Sequence, residues 1–291
     1  MRINVYRIGA AAVEALGLAE DGSVAGVTSR GAFLRVADRI IYLTPLDYQS
    51  PFNLTLAGGD ERFERLAPGD HFSIDSGNLV FPTQRITVET GQAEVWEPPL
   101  PVTIKSTLAE QYDRAMVIAK GLRQIDAQKG YLFLSQPGDV TSVRDALNVT
   151  QTANAIAYHF YSQKRSSFLR TAASLLGSGA GLTPSGDDFL TGFFLYHFRR
   201  EQSSGIPSDF LAGWCADLSA LAFQKTTTIS ANRLMFTARG WSEDIFLNLI
   251  DHLFDPAVSF SDERVRLLME IGHSSGVDTF MGIIYAIKSI L

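Results

Sequence analysis

The chain has 291 residues, 46% of them hydrophobic and 19% charged, with a net charge of −6. That is ample material for a folded core, and an acidic balance with no Lys/Arg cluster argues against a nucleic-acid face. The lone Cys215 excludes an internal disulfide and fits a reducing compartment, with nearly all the weight on a buried side chain rather than a nucleophile.

Residues 1–13 carry arginines but no uninterrupted apolar stretch of signal-peptide length. The longest apolar run ends at Phe198, is broken by Thr191 and Gly192, and is shorter than the roughly 17–25 residues of a membrane span. A soluble cytoplasmic protein is the expectation.

Residues 13–18 suit a short helix. Short apolar segments follow at 23–27, 32–36 and 40–43, and 52–56 reads as either loop or strand. Segments 70–74 and 79–81 flank Asp75-Ser76-Gly77-Asn78, a good hairpin turn, and 85–88 and 94–96 complete the set. Strands this short at this spacing predict an N-terminal domain, 1–100, that is a small antiparallel β-barrel or sandwich. Glu97-Pro98-Pro99-Leu100-Pro101 marks the boundary, because prolines stop strands and stiffen linkers.

Beyond it the hydrophobic period becomes helical. Thr107 and Glu110 form a capping box for the first helix. A turn is expected at 136–139, and a cap of Ser142 with Asp145 for the next helix. Helices are then expected near 166–176, 185–200, 208–223, 227–239, 242–254, 261–271 and 275–290. The second domain, 105–291, is thus a larger all-helical one, and the fold class is α+β.

The informative stretch in that domain is Gly177-Ser178-Gly179-Ala180-Gly181-Leu182-Thr183-Pro184-Ser185-Gly186-Asp187-Asp188. Its glycines allow positive φ and close approach to peptide groups. Its end starts a helix, whose N–H groups and dipole favour an anion. A second loop matches it: Ser185 to Gly192 has the form S-G-x-D-x-x-x-G, and so does Ser275 to Gly282. Ser185 with Asp188, and Ser275 with Asp278, read as capping boxes, which makes both aspartates structural. Paired loops predict two helix N-termini facing one site. The loops differ at Asp187, whose counterpart is Val277, and at His273, which has no histidine counterpart; these two are the candidates for chemistry. A third cluster spans 225–233, where Thr226, Ser230 and Arg233 share a helical face, as do Thr227 and Ser230. Hydroxyls beside Arg233 or Lys225 suit a carboxylate or phosphate. An ordinary helix start with a solvated face explains the same residues equally well.

Other chemistries find no support. His71, His159, His197, His252 and His273 form no H-x-H or H-E-x-x-H pair, and a lone cysteine cannot build a zinc thiolate site. The glycine loop follows a helix and lacks the P-loop lysine, and no G-x-S-x-G elbow is present. Asp187 and Asp188 are neighbours on a helix, about 100° apart, which is poor for joint Mg²⁺ ligation. Neither metal nor cofactor is expected.

Stretches 179–192 and 272–282, with 226–233 between them, resemble a bacterial family long carried as a domain of unknown function and loosely labelled a carboxylase. Its best-placed members resemble the AllH subunit associated with oxamate carbamoyltransferase in anaerobic allantoin breakdown. The similarity covers mainly 105–291, and its G-L-T-P-S-G-D-D core is specific. The resemblance implies a part in converting oxalurate and phosphate to oxamate and carbamoyl phosphate, beside two other protein subunits. The S-T-R-T loop of ordinary carbamoyltransferases is absent, so either the chemistry has a new geometry or its residues lie on a partner. These substrates are small anions, which suits the loops. The expected contacts are Gly179, Gly181, Thr183, Ser185 and Gly186 from the first loop, and Ser274, Ser275 and Gly276 from the second. Lys225, Thr227, Ser230 and Arg233 would join them. His273 would shuttle a proton, and Asp187 would orient His273 or an amide. The other reading is a non-catalytic anion-binding or assembly subunit.

Overall fold

A computed structural model describes residues 1–59, 62–135 and 144–291. The turn expected at 136–139 and the Ser142 cap lie outside the described residues. The chain divides into two units, Met1–Pro99 and Leu100–Leu291.

The first unit contains strand β1 (Arg2–Gly9), helix α1 (Ala10–Leu16), and strands β2 (Asp21–Thr28), β3 (Gly31–Val36), β4 (Arg39–Thr44), β5 (Asn53–Leu56), β6 (His71–Asp75), β7 (Asn78–Phe81), β8 (Ile86–Glu89) and β9 (Glu94–Trp96). The strands run β5-β4-β3-β2-β6-β7-β8-β1, and β1 also pairs with β5, which closes a barrel. The hairpin turn between β6 and β7 is as expected: Ser76 and Gly77 both take positive φ, the form that matches strand twist. Alternating side chains point inward, and Ile3, Val5, Leu34, Leu43, Leu54, Phe72, Phe81 and Val88 are all buried in the barrel's core.

Two features depart from the expectation. Strand β1 was not anticipated, because Arg2, Asn4, Tyr6 and Arg7 mask the inward set Ile3, Val5 and Ile8, and its register shifts between Val5 and Arg7. The barrel is also not wholly antiparallel: β1 runs parallel to β8 and β9, and β4 runs parallel to β5. Tight turns signal antiparallel neighbours, whereas parallel ones need longer returns that leave no local mark.

The second unit contains helices α2 (Leu108–Asp126), α3 (Arg144–Tyr161), α4 (Arg165–Ala173), α5 (Ser185–Ser204), α6 (Leu211–Lys225), α7 (Thr228–Thr237), α8 (Asp244–Phe254), α9 (Asp262–Glu270) and α10 (Ser275–Lys288), with a 3₁₀ segment at Gly130–Ser135. The Thr107–Glu110 capping box is present. Helices α5 and α10 are buried around nearly their whole circumference, as central helices are. They cross at glycines. A Cβ on Gly192 would lie 1.9 Å from Thr279 O, and one on Gly282 would lie 1.9 Å from Phe189 O. These contacts are reciprocal at a constant offset of 90 residues (282 − 192 and 279 − 189), so the two helices are related by a local two-fold axis. Around them pack the rings of Phe160, Phe168, Phe193, His197 and Trp214, and buried Arg199 is held by Asp251 at 3.1 Å.

Candidate functional site

Pro184 sets the start of α5. Its φ of −54° is the one its ring dictates, and its carbonyl accepts from the amides of Asp187 (2.9 Å) and Asp188 (3.2 Å). The preceding loop turns back over this first helical turn, with Gly177, Gly179 and Gly181 at positive φ. Gly186 N donates to Ser178 O at 2.9 Å, and Gly177 N donates to Asp187 Oδ1 at 2.9 Å. The other oxygen of Asp187 accepts from Thr226 Oγ1. Thr227 then caps α7, accepting from Ser230 N at 3.1 Å, while its hydroxyl donates to Leu182 O at 2.7 Å. The start of α7 is thereby stitched to the same loop.

The start of α10 meets it from the other side. Thr183 Oγ1 and Ser275 Oγ are 2.7 Å apart, and Ser185 Oγ and Ser274 Oγ are 3.4 Å apart. Three helix N-termini therefore converge on one glycine loop. Among the described residues, the amides of Ser185, Ser275 and Val277 have no hydrogen-bond acceptor. Glycine at 179 keeps the first of these approachable, because a Cβ there would sit 2.7 Å from Ser185 N.

The two aspartates expected as caps do something else. Neither α5 nor α10 has a side-chain cap, and their N-cap residues are Pro184 and Ser274. Each helix begins one residue earlier than the capping reading requires. Asp188 and Asp278 fall one position past the capping site, rotated by about 100° into the contact between the helices. Both are fully buried, at 1% and 0% exposure. Asp188 Oδ1 is ion-paired with Arg233, and Arg233 Nε also lies 3.2 Å from Glu243 Oε1. Asp278 Oδ1 accepts from Tyr131 N at 2.6 Å. The Oδ2 atoms of Asp188 and Asp278 are left buried without a hydrogen-bond partner.

Burial dominates the electrostatics. Opposed by Arg233 and reinforced by the charge of Asp278, it pushes the Asp188 carboxyl up to about 8. Burial also raises Asp278, against hydrogen bonding from Ser274, Ser185 and the Tyr131 amide. Asp187 is raised the same way, against Thr226 and Gly177. Burial would raise Glu243 too, but the charge of Arg233 and a bond from Ser242 overcome it and hold Glu243 low. The folded protein therefore holds a proton at Asp188 that the unfolded chain releases near 4. Stability is expected to fall as pH rises from about 4 to about 8. A melting curve taken across that window should slope downward, and Asp188→Asn should flatten the slope. An unchanged slope in the variant would refute this assignment.

Of the residues expected at the site, Thr183, Ser185, Ser274 and Ser275 come together. Gly186 and Gly276 serve packing: a Cβ on either would meet a carbonyl of the preceding segment, Leu175 O at 2.2 Å or Leu268 O at 2.1 Å. Gly181 has open space around it. Thr227 is the α7 cap, and Ser230 is buried next to Asp187, drawing its pKa down. Arg233 is buried and committed to Asp188 and Glu243, so it is not the open anion contact that the sequence pointed to. Asp187 is committed to Gly177 and Thr226 and does not orient His273. His273 and Lys225 are exposed. Tyr131 and Glu243 are site residues that the sequence did not mark, whereas Thr226, marked in the 225–233 cluster, bonds Asp187. Tyr131 sits in a short apolar piece and Glu243 at a helix start, and neither position signals its partner, 147 and 10 residues away in the chain. Among the described residues no three His, Cys, Asp or Glu side chains gather as a metal cluster.

Comparison with known families adds a name for this region. Residues 175–287 match the family model of the oxamate carbamoyltransferase subunit AllH. The AllH match begins just before the glycine loop and ends in α10, so it takes in all three converging helix starts. It spans less than half of the chain and leaves the barrel outside. No solved structure matches the chain. No described helix is long and apolar enough to cross a membrane.

Proposed function

We propose that this chain is a subunit of an oxamate carbamoyltransferase-like system that interconverts oxalurate and phosphate with oxamate and carbamoyl phosphate, and that it holds a small anion at the converging helix starts. The observation that carries the anion reading is the 2.7 Å approach of Thr183 to Ser275, which brings two helix N-termini to one point beside half-buried Ser185, whose amide has no acceptor. Each aligned helix presents positive potential there. The hydroxyls of Thr183 and Ser274 would orient the anion, and exposed Lys225 and His273 would supply charge and a proton path at the rim. The AllH match supports membership in a carbamoyl-transferring assembly with other protein subunits.

One observation favours the second reading, a non-catalytic assembly subunit. The amides of Gly186, Asp187 and Asp188 are already bonded within the loop and cannot serve a ligand. The purified chain, alone and with its partner subunits, should be assayed for phosphorolysis of oxalurate, with oxamate and phosphate titrations in parallel. The expected result is binding by the chain alone and turnover in the assembly. His273→Gln should lower turnover at least tenfold with little change in melting temperature, since an exposed side chain contributes little to stability. Parent-like turnover in His273→Gln, or no binding of either anion, would favour the assembly reading.

A further inference from the structure

Toward the far end of α5 the helical unit has a cleft of about 350 Å³. Its first residue on that helix is His197, 12 residues past Ser185 (197 − 185), or about 18 Å along the axis. It shares no residue with the glycine-loop site. Most of its lining is apolar: Phe160 of α3, Ile206 and Pro207 of the α5–α6 connection, Phe210 and Leu211 where α6 begins, and Ile290 after α10. The rings of Phe160 and Phe210 meet edge to face at 5.4 Å, and Phe210 lies 4.6 Å from Trp214. Ile206 is left 73% exposed, an apolar side chain in water beside an apolar hollow.

The polar lining is sparse and comes mainly from α5. His197 stacks on Phe160 at 4.1 Å, and its Nε2 lies 3.2 Å from Ser289 Oγ. Burial, and after it the charge of Arg200, pushes this imidazole down to about 3, so it is a neutral wall. Glu201 accepts from Ser208 N at 2.9 Å and from Ser208 Oγ, both through Oε1. Among the described residues its Oε2 has no donor, and Arg200 meets no carboxylate. Neighbours on a helix point about 100° apart, so these two charges do not close on each other. The cleft therefore offers one positive and one negative group, each with a valence to spare, around an apolar hollow.

We propose that this cleft binds an apolar α-amino acid, with its carboxylate on Arg200, its ammonium on Glu201 Oε2 and its side chain against Phe160, Phe210 and Ile290. The volume is at the small end of ligand sites, which suits an amino acid and excludes a nucleotide. One charge of each sign selects a zwitterion over a simple anion. Ion pairs at a solvent-open mouth contribute little alone, so the apolar side chain must supply much of the affinity. No proton moves and no bond forms; the site holds its ligand and does no chemistry on it.

Calorimetric titration of the intact chain tests this with L-phenylalanine and L-leucine as probes. Both should bind saturably. N-acetyl-L-phenylalanine lacks the ammonium, L-phenylalaninamide lacks the carboxylate and L-serine lacks the apolar body; each should bind at least tenfold more weakly. Arg200→Gln should weaken L-phenylalanine about tenfold or more. Glu201→Gln should do the same, because an amide oxygen still accepts from Ser208 but carries no charge. Ser204→Trp, at an exposed position on the lining, should block binding. Should a variant not fold, the ligand series on the wild type decides alone. Absence of saturable binding by either amino acid overturns the proposal, as does serine binding as tightly as phenylalanine. N-acetyl-L-phenylalanine binding as well as the free amino acid overturns it in favour of a site for simple carboxylates or a peptide C-terminus. Full binding by folded Ser204→Trp places the ligand elsewhere and overturns it too.

Discussion

Gly192→Ala and Gly282→Ala are each expected to destabilise the helical unit by about 3 kcal/mol or more, near the upper end for overpacking. Both new methyls would be driven to 1.9 Å from a backbone oxygen of the facing helix, and backbone cannot rotate away as a side chain can. Relief requires the two central helices to separate, which opens the most buried contact in the unit. Two-fold symmetry makes the two costs similar. It also makes them non-additive, because a pair of helices already pushed apart by one methyl has room for the other. Urea denaturation should show a lower midpoint with an unchanged slope for each variant, and a double variant barely worse than either single. Parent-like midpoints would mean that the helices do not cross at these residues.

Arg233→Ala carries the other large expected loss, about 3–5 kcal/mol, the range for removing one partner from a buried ion pair. The guanidinium is buried between Asp188 and Glu243, and its removal strands the Glu243 carboxylate away from water and takes a donor from Asp188. Lys225→Ala, at an exposed position in the same polar cluster, should change stability by no more than about 0.5 kcal/mol. The comparison separates a structural arginine from a surface cation, which the sequence could not do. Equal melting temperatures for the two variants would show that Arg233 is not the counter-ion of the buried acids.

Much of this arrangement was legible beforehand because it is local. The hairpin at Ser76-Gly77, the Thr107–Glu110 box and the paired S-G-x-D-x-x-x-G strings depend on residues a few positions apart. Short-range chemistry decides them. The capping reading of Asp188 and Asp278 failed because it turned on a helix boundary. Moving the N-cap from Ser185 to Pro184 advances each residue one step, and one step is enough to turn Asp188 from the loop to the helix contact. Asp187, read as free for chemistry, instead ties Gly177 to Thr226, and nothing in its immediate neighbours announces a partner at position 226. Strand β1 escaped notice for a related reason: its identity as a strand comes from β5 and β8, which lie about 50 and 80 residues downstream.

That strand has a topological consequence. β1 is bonded on one side to β5 and on the other to β8 and β9, so it is the stave that turns an open sheet into a closed ring. During synthesis it emerges before all of these partners and waits until the residues of β8 have been made. Until then β5 and the growing sheet have ragged margins of unpaired amides and carbonyls, the kind of margin that recruits strands from other molecules. Any fusion or cleavage that displaced residues 2–9 would recreate those margins permanently in the finished protein. The expected fault is self-association through the barrel, arising far along the chain from the residues of the candidate site.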